Sequence, residues 1–421
     1  MAFDPSVATA AYLAAMSPAA HAKATAYTQG GHWLLLWGWL IGVIAAVIIL
    51  KWDVLRKVQT KMERRRGRPW LVAFVLAMMF NLISAIISLP WTVYADWWRE
   101  KSYGLTSQAF GGWFIEFLIQ LAIGTVFTGI FFAILYWIIR RAPRLWPVWA
   151  GVLTASFFVV VMFLAPIFIE PIFNKYQEAP QGAVRSMVVE MGHKVGVPTD
   201  KIFIYNGSKQ SNRYTANVSG LFGTARVAMS DTMFAKGADT AEVKGVVGHE
   251  MGHYVRKHIL IFVPFMGVIV AILGFITNWI FPRVQGWLAE ERIAGIADPA
   301  GLPILMIIAS TLILLSTPVL NSMSRWEEAD ADNFSLRHFN EPDGLAKALV
   351  KTIEYRASSP GKLEEILFYD HPSVGWRVRN AMNWKAAHMS QGPDVSPSPS
   401  PSGSESASAS NSPSPTTSPS N

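Results

Sequence analysis

The chain contains no cysteine and is poor in charge: only 15% of its 421 residues are Asp, Glu, Lys or Arg. The missing thiols exclude disulfides and thiolate zinc ligands. The lack of cysteine says nothing about redox compartment. Histidine is scarce too, with nine residues. No basic start precedes the first apolar run, and Pro5, Pro18 and Gly30–Gly31 interrupt residues 1–31, so a cleavable leader is not expected. The excess of Lys and Arg is small, +7 overall. Most of it lies in one stretch, where Lys51, Arg56, Lys57, Lys61, Arg64, Arg65, Arg66 and Arg68 face only Asp53 and Glu63. A basic block beside an apolar run reads as a topology anchor or a contact with anionic lipid, and no nucleic-acid partner is expected.

Apolar residues are abundant. Hydrophobic residues make up 51% of the chain, the mean hydropathy is +0.28, and there are 17 Trp and 24 Phe. Six runs, at approximately 33–50, 70–91, 113–139, 146–169, 259–281 and 302–320, are long enough to cross a bilayer, which takes about 20 residues. Trp33, Trp70, Trp91, Trp113, Trp137, Trp146 and Trp279 lie near their ends, at headgroup depth. A multi-pass protein of the cell membrane follows. Residues 1–32 are a short, partly helical lead-in, and 33–170 form an N-terminal membrane domain of four spans. Residues 171–390 form a second domain interrupted by the spans at 259–281 and 302–320. Residues 391–421, nearly all Ser, Pro, Ala, Thr and Asn, are expected to be a disordered tail.

His249-Glu250-Met251-Gly252-His253 spells HExxH. Residues four apart share a helical face, so both imidazoles can reach one metal ion, with Glu250 beside them to take a proton from an activated water. The surrounding pattern predicts a helix at 181–196, strands at 201–205, 213–219 and 225–230, and a helix at 239–256 carrying the motif. Glu242, Lys244, Arg256 and Lys257 make that last helix compatible with water, which separates it from proteases whose HExxH lies within a transmembrane helix. Two histidines leave a zinc site incomplete. After the sixth run, Glu328 and Asp332 again stand four apart; one carboxylate can ligate while the other accepts the free N–H of a ligating histidine. Glu327 and Asp330 fall off this register, and His193 and His258 are expected at the surface.

HExxH, two spans and then Glu328-x-x-Ala331-Asp332 resemble the type I CAAX prenyl protease family of membrane zinc metallopeptidases. Leu89-Pro90-Trp91 is similar to its LPW segment, and Ala165-Pro166 through Pro171-Ile172-Phe173 to its AP…PLF stretch. Gly207-Ser208-Lys209, Gly220 and Ser230-Asp231-Thr232 match the strand region before HExxH, and His371-Pro372 with Arg377 resembles HPxxxxR. The resemblance implies a predominantly α-helical polytopic membrane protein with a zincin-like α+β metallopeptidase domain containing a small β-sheet. It implies one Zn2+ held by His249, His253 and Glu328, with Asp332 as the partner behind a ligand. Glu250 is then the base, while His371 and Arg377 are placed to donate to the oxyanion. Pro372 suits the first turn of a helix carrying Arg377. Thr215-Ala216-Asn217 stands where the family usually reads Asn-Ala-Tyr, so backbone pairing with an extended peptide survives, and Asn217 is read either as a substitute for the family's Asn contact or as a turn-proximal residue. Glu116 and Gln120, four apart in the third span, are read either as lining a watery chamber or as lying at the interface.

The expected activity is peptide-bond hydrolysis near the membrane on a peptide or protein, prenylated or membrane-inserted. Membrane-protein quality control by the same chemistry and a non-catalytic chaperone or scaffold are the alternatives. The bias of Lys and Arg among the connections places the catalytic regions outside the cytoplasm, whereas the resemblance implies a site facing the cytoplasm. The sequence leaves that side open.

Overall fold

The computed structural model describes residues 3–65, 67–220, 225–289 and 292–389. The expected tail at 391–421, Arg66 and Gly223 lie outside the described residues. Helix α1 (Pro5–Leu13) starts at Asp4, whose side chain accepts from the amides of Ser6 and Val7. Helix α2 (Pro18–Trp52) has Ser17 as its cap and proline in its first turn, both favoured at a helix start. It runs unbroken through Gly30–Gly31, so most of the lead-in is a continuation of the first span. A short basic helix, α3 (Val54–Arg64), follows. The spans α4 (Pro69–Tyr103), α5 (Phe110–Arg141) and α6 (Trp146–Phe173) come next. Among the described residues six helices are long and apolar enough to cross a membrane, in agreement with the six runs.

The polar region contains β1 (Tyr176–Glu178), α7 (Ala183–Val195), β2 (Ile202–Tyr205), β3 (Ala216–Ser219), β4 (Arg226–Ser230) and α8 (Asp231–Ala235). Then come α9 (Thr240–Val255), the fifth span α10 (His258–Leu288), the sixth span α11 (Leu302–Phe339), α12 (Pro342–Lys351), α13 (Lys362–Phe368) and α14 (Val374–Met389). The sheet order is β1-β2-β4-β3, with β2 and β4 parallel and the outer pairs antiparallel, which leaves β3 at an edge. The expected strands and helices are present, somewhat shortened. Strand β1 is new, being too short for a period-two signal.

Helix α11 is the element that joins membrane and site. At 1.5 Å per residue its 38 residues span about 57 Å, well beyond the hydrocarbon thickness of about 30 Å. Its C-terminal part therefore leaves the bilayer and enters the polar domain, where Ala331, Asp332, Ser335 and Leu336 are buried. Three cores form. Leu76, Tyr136, Phe281 and Ile304 pack between the spans. Val227, Met229, Val243, Val247 and Met251 seat the sheet on α9. Ala24, Leu345, Val378 and Met382 bring the N-terminal segment against α12 and α14, with Tyr12 and Leu13 packed beside them.

Candidate metal centre

Helix α9 begins where Asp239 accepts a hydrogen bond from the amide of Glu242 (2.8 Å), a capping arrangement that fixes the register of the motif. Glu242 is itself buried and bound by Lys351 Nζ (2.5 Å) and the Tyr214 hydroxyl (3.3 Å). Glycine allows α9 to lie directly on α11. A Cβ at Gly248 would come within 2.5 Å of Ser335 Oγ, and one at Gly252 within 3.1 Å of the Ala331 backbone. These contacts bring the two histidines onto the acidic face of α11.

His249 Nε2 and His253 Nε2 lie 3.1 Å apart, and Glu328 approaches each at 3.3 Å through its two oxygens. A tetrahedral ion with bonds of about 2.0–2.1 Å separates its ligand atoms by about 3.3 Å. The two imidazole nitrogens are close to that edge length, each has a Glu328 oxygen at it, and one ligand atom from each of the three residues lies within 4.8 Å of the others, so the set fits a zinc-sized ion. Glu328 Oε2 is buried without a hydrogen-bond partner, which also suits a coordinating oxygen. Among the described residues His249, His253 and Glu328 are the group that can hold a metal.

Behind this set, Asp332 is fully buried and its Oδ1 sits 2.9 Å from His249 Nδ1. Accepting the Nδ1 proton leaves Nε2 as a bare donor facing the site. Arg377 donates from Nε to Asp332 Oδ2 and from Nη2 to Oδ1, both at 2.7 Å, while its Nη1 lies 3.4 Å from Glu328. Pro372 does not open the helix that carries Arg377: α14 starts at Val374, and the His371–Ser373 segment turns ahead of it. The turn leaves His371 between Asp370 (Nδ1 to Oδ1, 2.8 Å) and Glu328 (Nε2 to Oε1, 3.2 Å).

The electrostatics follow from these neighbours. Burial works against charge on His249, but Glu328 and Asp332 outweigh it and hold the imidazole up to about 10. A pocket with this potential attracts a cation. Burial likewise opposes charge on His371, and Asp370 and Glu328 reverse the sign, raising it above an ordinary histidine. Burial raises Glu250 above the usual carboxylate range, partly offset by His249, His253 and Arg377. A half-buried base with a raised pKa is suited to moving a proton near neutral pH.

A cleft of about 360 Å3 opens over the centre, lined among others by Thr215, Ala216, His249, Glu250, Glu328, His371 and Arg377. Thr215 and Ala216 bring the edge of β3 to it. Asn217 is not among its lining residues, and its buried Oδ1 has no hydrogen-bond partner. A second cavity of about 470 Å3 shares Tyr355, Arg356 and His371 with the cleft and reaches His32 and Leu35 on α2. Glu116 accepts from Gln108 and Gln210 (both 2.9 Å) and pairs with Lys209 (2.6 Å), tying the third span to the loop before β3.

Two residues set aside on sequence grounds belong to the centre's surroundings. His258 is 3% exposed rather than at the surface, and its Nδ1 lies 2.9 Å from His253 Nδ1. Asp330 meets His258 Nε2 at 3.1 Å and accepts from Arg256 Nε at 2.6 Å. The only signal available was the spacing of His258 five residues after His253, which a continuous helix would have turned away. His193 is exposed, as expected.

Residues 178–385 match the family described as peptidase family M48. Residues 6–175 match the family described as the CAAX prenyl protease N-terminal domain with five membrane helices, four of which have counterparts here among the described residues. The chain is 27% identical over 395 residues to the uncharacterized metalloprotease YhfN of Bacillus subtilis, covering 90% of this chain and 89% of that one. It is 29% identical over 305 residues to the CAAX prenyl protease 1 homolog of Arabidopsis thaliana, covering 70% of each. It is 24% identical over 321 residues to CAAX prenyl protease 1 of Saccharomyces cerevisiae, covering 71% of this chain and 70% of that one. The crystal structure of S. mikatae Ste24p shares the fold, with a TM-score of 0.71 at 19% identity over 87% of this chain and 89% of that one. The chain belongs to peptidase family M48 and is a multi-pass membrane metalloprotease of the CAAX prenyl protease type.

Proposed function

We propose that the chain is a zinc endopeptidase that cuts peptide or protein substrates at the membrane, with CAAX-type processing as the reading its named relatives favour. The observation that carries it is the convergence of two imidazoles and one carboxylate within reach of a single ion, beneath a cleft that also holds the half-buried Glu250. His249, His253 and Glu328 would hold one zinc ion. When bound, zinc supplies a Lewis acid that activates water and polarises the scissile carbonyl.

The chain's own groups account for the rest. Glu250 removes a proton from the attacking water and passes it to the leaving amine. His371, whose pKa Asp370 and Glu328 raise above that of an ordinary histidine, faces the cleft and steadies the negative charge that develops on the carbonyl oxygen. Arg377 was expected to share that duty. Its two 2.7 Å bonds to Asp332 support a positioning part instead, in which it fixes the carboxylate that orients His249. The edge of β3 at Thr215 and Ala216 aligns an extended peptide by backbone pairing.

The test is cleavage of one peptide sequence, with and without a prenyl group, by the purified protein and by Glu250→Gln. The variant should retain its metal and lose about 10^2–10^4-fold in kcat/KM. Undiminished turnover would remove Glu250 from the reaction, and equal turnover of both peptides would favour a broader quality-control role over CAAX processing.

A further inference from the structure

We infer that His258 is a positioning residue for the metal ligand His253, and that it acts with Asp330 and Arg256 as a hydrogen-bonded chain. The inference rests on the metal reading proposed above. His249 is oriented directly, because Asp332 lies one helical turn beyond Glu328 on the same face of α11. Asp330 is two residues beyond Glu328, where the helix has rotated by about 200°, so it does not share that face. His258 spans the difference.

The proton positions along this chain follow from its ends. Arg256 donates to Asp330 through Nε (2.6 Å) and Nη2 (3.3 Å), which fixes the carboxylate as an acceptor. Asp330 Oδ2 therefore takes the proton of His258 Nε2 (3.1 Å). A neutral imidazole carries one ring proton, so His258 Nδ1 is left as an acceptor. It receives the Nδ1 proton of His253 across 2.9 Å. His253 Nε2, the atom facing His249 and Glu328, is then bare, which is the tautomer a metal requires. The two rings stand at 79°, with centroids 5.0 Å apart.

The backbone explains how a residue beyond the motif helix returns to it. Helix α9 ends at Val255, and Lys257 adopts the left-handed conformation (φ 55°) as the cap of α10. Non-glycine residues seldom do so. This corner turns His258, the first residue of the fifth span, back under His253. The side chain is 3% exposed and lies against Trp326 of α11. The fifth and sixth spans thus each support one histidine ligand, so a shift between them would alter the centre.

The test measures zinc affinity by competition with a chelator, using the full chain in detergent and the variants His258→Phe, His258→Gln and Asp330→Ala. Phenylalanine keeps the ring volume and loses both hydrogen bonds; we expect zinc binding to weaken by about 10- to 100-fold. Glutamine accepts at Oε1 and donates at Nε2, and should restore affinity to within about threefold of the natural residue. Asp330→Ala, at a position on the rim, reads the same chain if His258→Phe does not fold, and should weaken zinc by at least about threefold. Natural affinity in His258→Phe or in Asp330→Ala overturns the inference, as does a glutamine variant as weak as the phenylalanine one. Absence of zinc from the natural protein would instead overturn the metal reading on which it stands.

Discussion

With its guanidinium sealed between Asp332 and Glu328, Arg377 is bound to the centre through charge as much as through hydrogen bonds. Removing one member of a buried pair leaves the other uncompensated, which costs about 3–5 kcal/mol. Arg377→Ala should therefore lower the thermal transition of the purified protein markedly as well as its activity. A variant that melts like the natural chain would show that Asp332 needs no counter-charge. At this scale the sequence was most readable where spacing alone specifies geometry. His249, Glu250 and His253 sit on one helix, and Glu328 with Asp332 on another, so i to i+4 periodicity places each pair on a face. Asp330 and His258 were illegible because they meet only through the left-handed corner at Lys257, a backbone feature with no periodic signature.

Between elements, the decisive contact is that of α9 with α11 and α12. Gly245, Gly248 and Gly252 recur along one side of α9, and each faces atoms of a neighbouring helix at a distance no side chain tolerates comfortably. Gly245 is the least forgiving, since a Cβ there would stand 2.6 Å from the backbone nitrogen of Leu345, which cannot swing aside. Gly245→Ala should cost about 1–3 kcal/mol through overpacking. Gly42→Ala in α2, with nothing within 4 Å, should leave the thermal transition unchanged. Equal melting of the two variants would contradict the close helix approach. The glycine stripe was visible in the sequence but had no partner there, because the helices it faces are remote in the chain. The spans, by contrast, were evident from composition: a bilayer demands about 20 apolar residues wherever they fall. The ends of α2 and α11 were not, since both helices continue into water as parts of packed domains.

In the whole molecule, the N-terminal helix closes over the back of the catalytic domain. Tyr12 donates to Asp343 (2.7 Å), and Lys385 of α14 pairs with the same carboxylate (2.6 Å), so three segments distant in sequence meet at one acid. Burial opposes the charge of Asp343, but Lys385 and Tyr12 outweigh it and hold its pKa below the ordinary aspartate value. A depressed folded pKa gives stability that is present above the unfolded value of about 3.9 and fades as pH falls through the folded one. Amide exchange in α1 should accelerate as pH drops below about 4, relative to the intrinsic rate. Asp343→Asn should produce faster exchange at neutral pH, and unchanged protection in that variant would show that apolar contacts alone hold α1.

Metal analysis of the purified protein beside Glu328→Ala tests the central claim most directly, because Glu328 is the one ligand contributed by a separate helix. The natural chain should carry one zinc ion per polypeptide and the variant almost none, with the fold retained. Full zinc occupancy in Glu328→Ala would contradict the account.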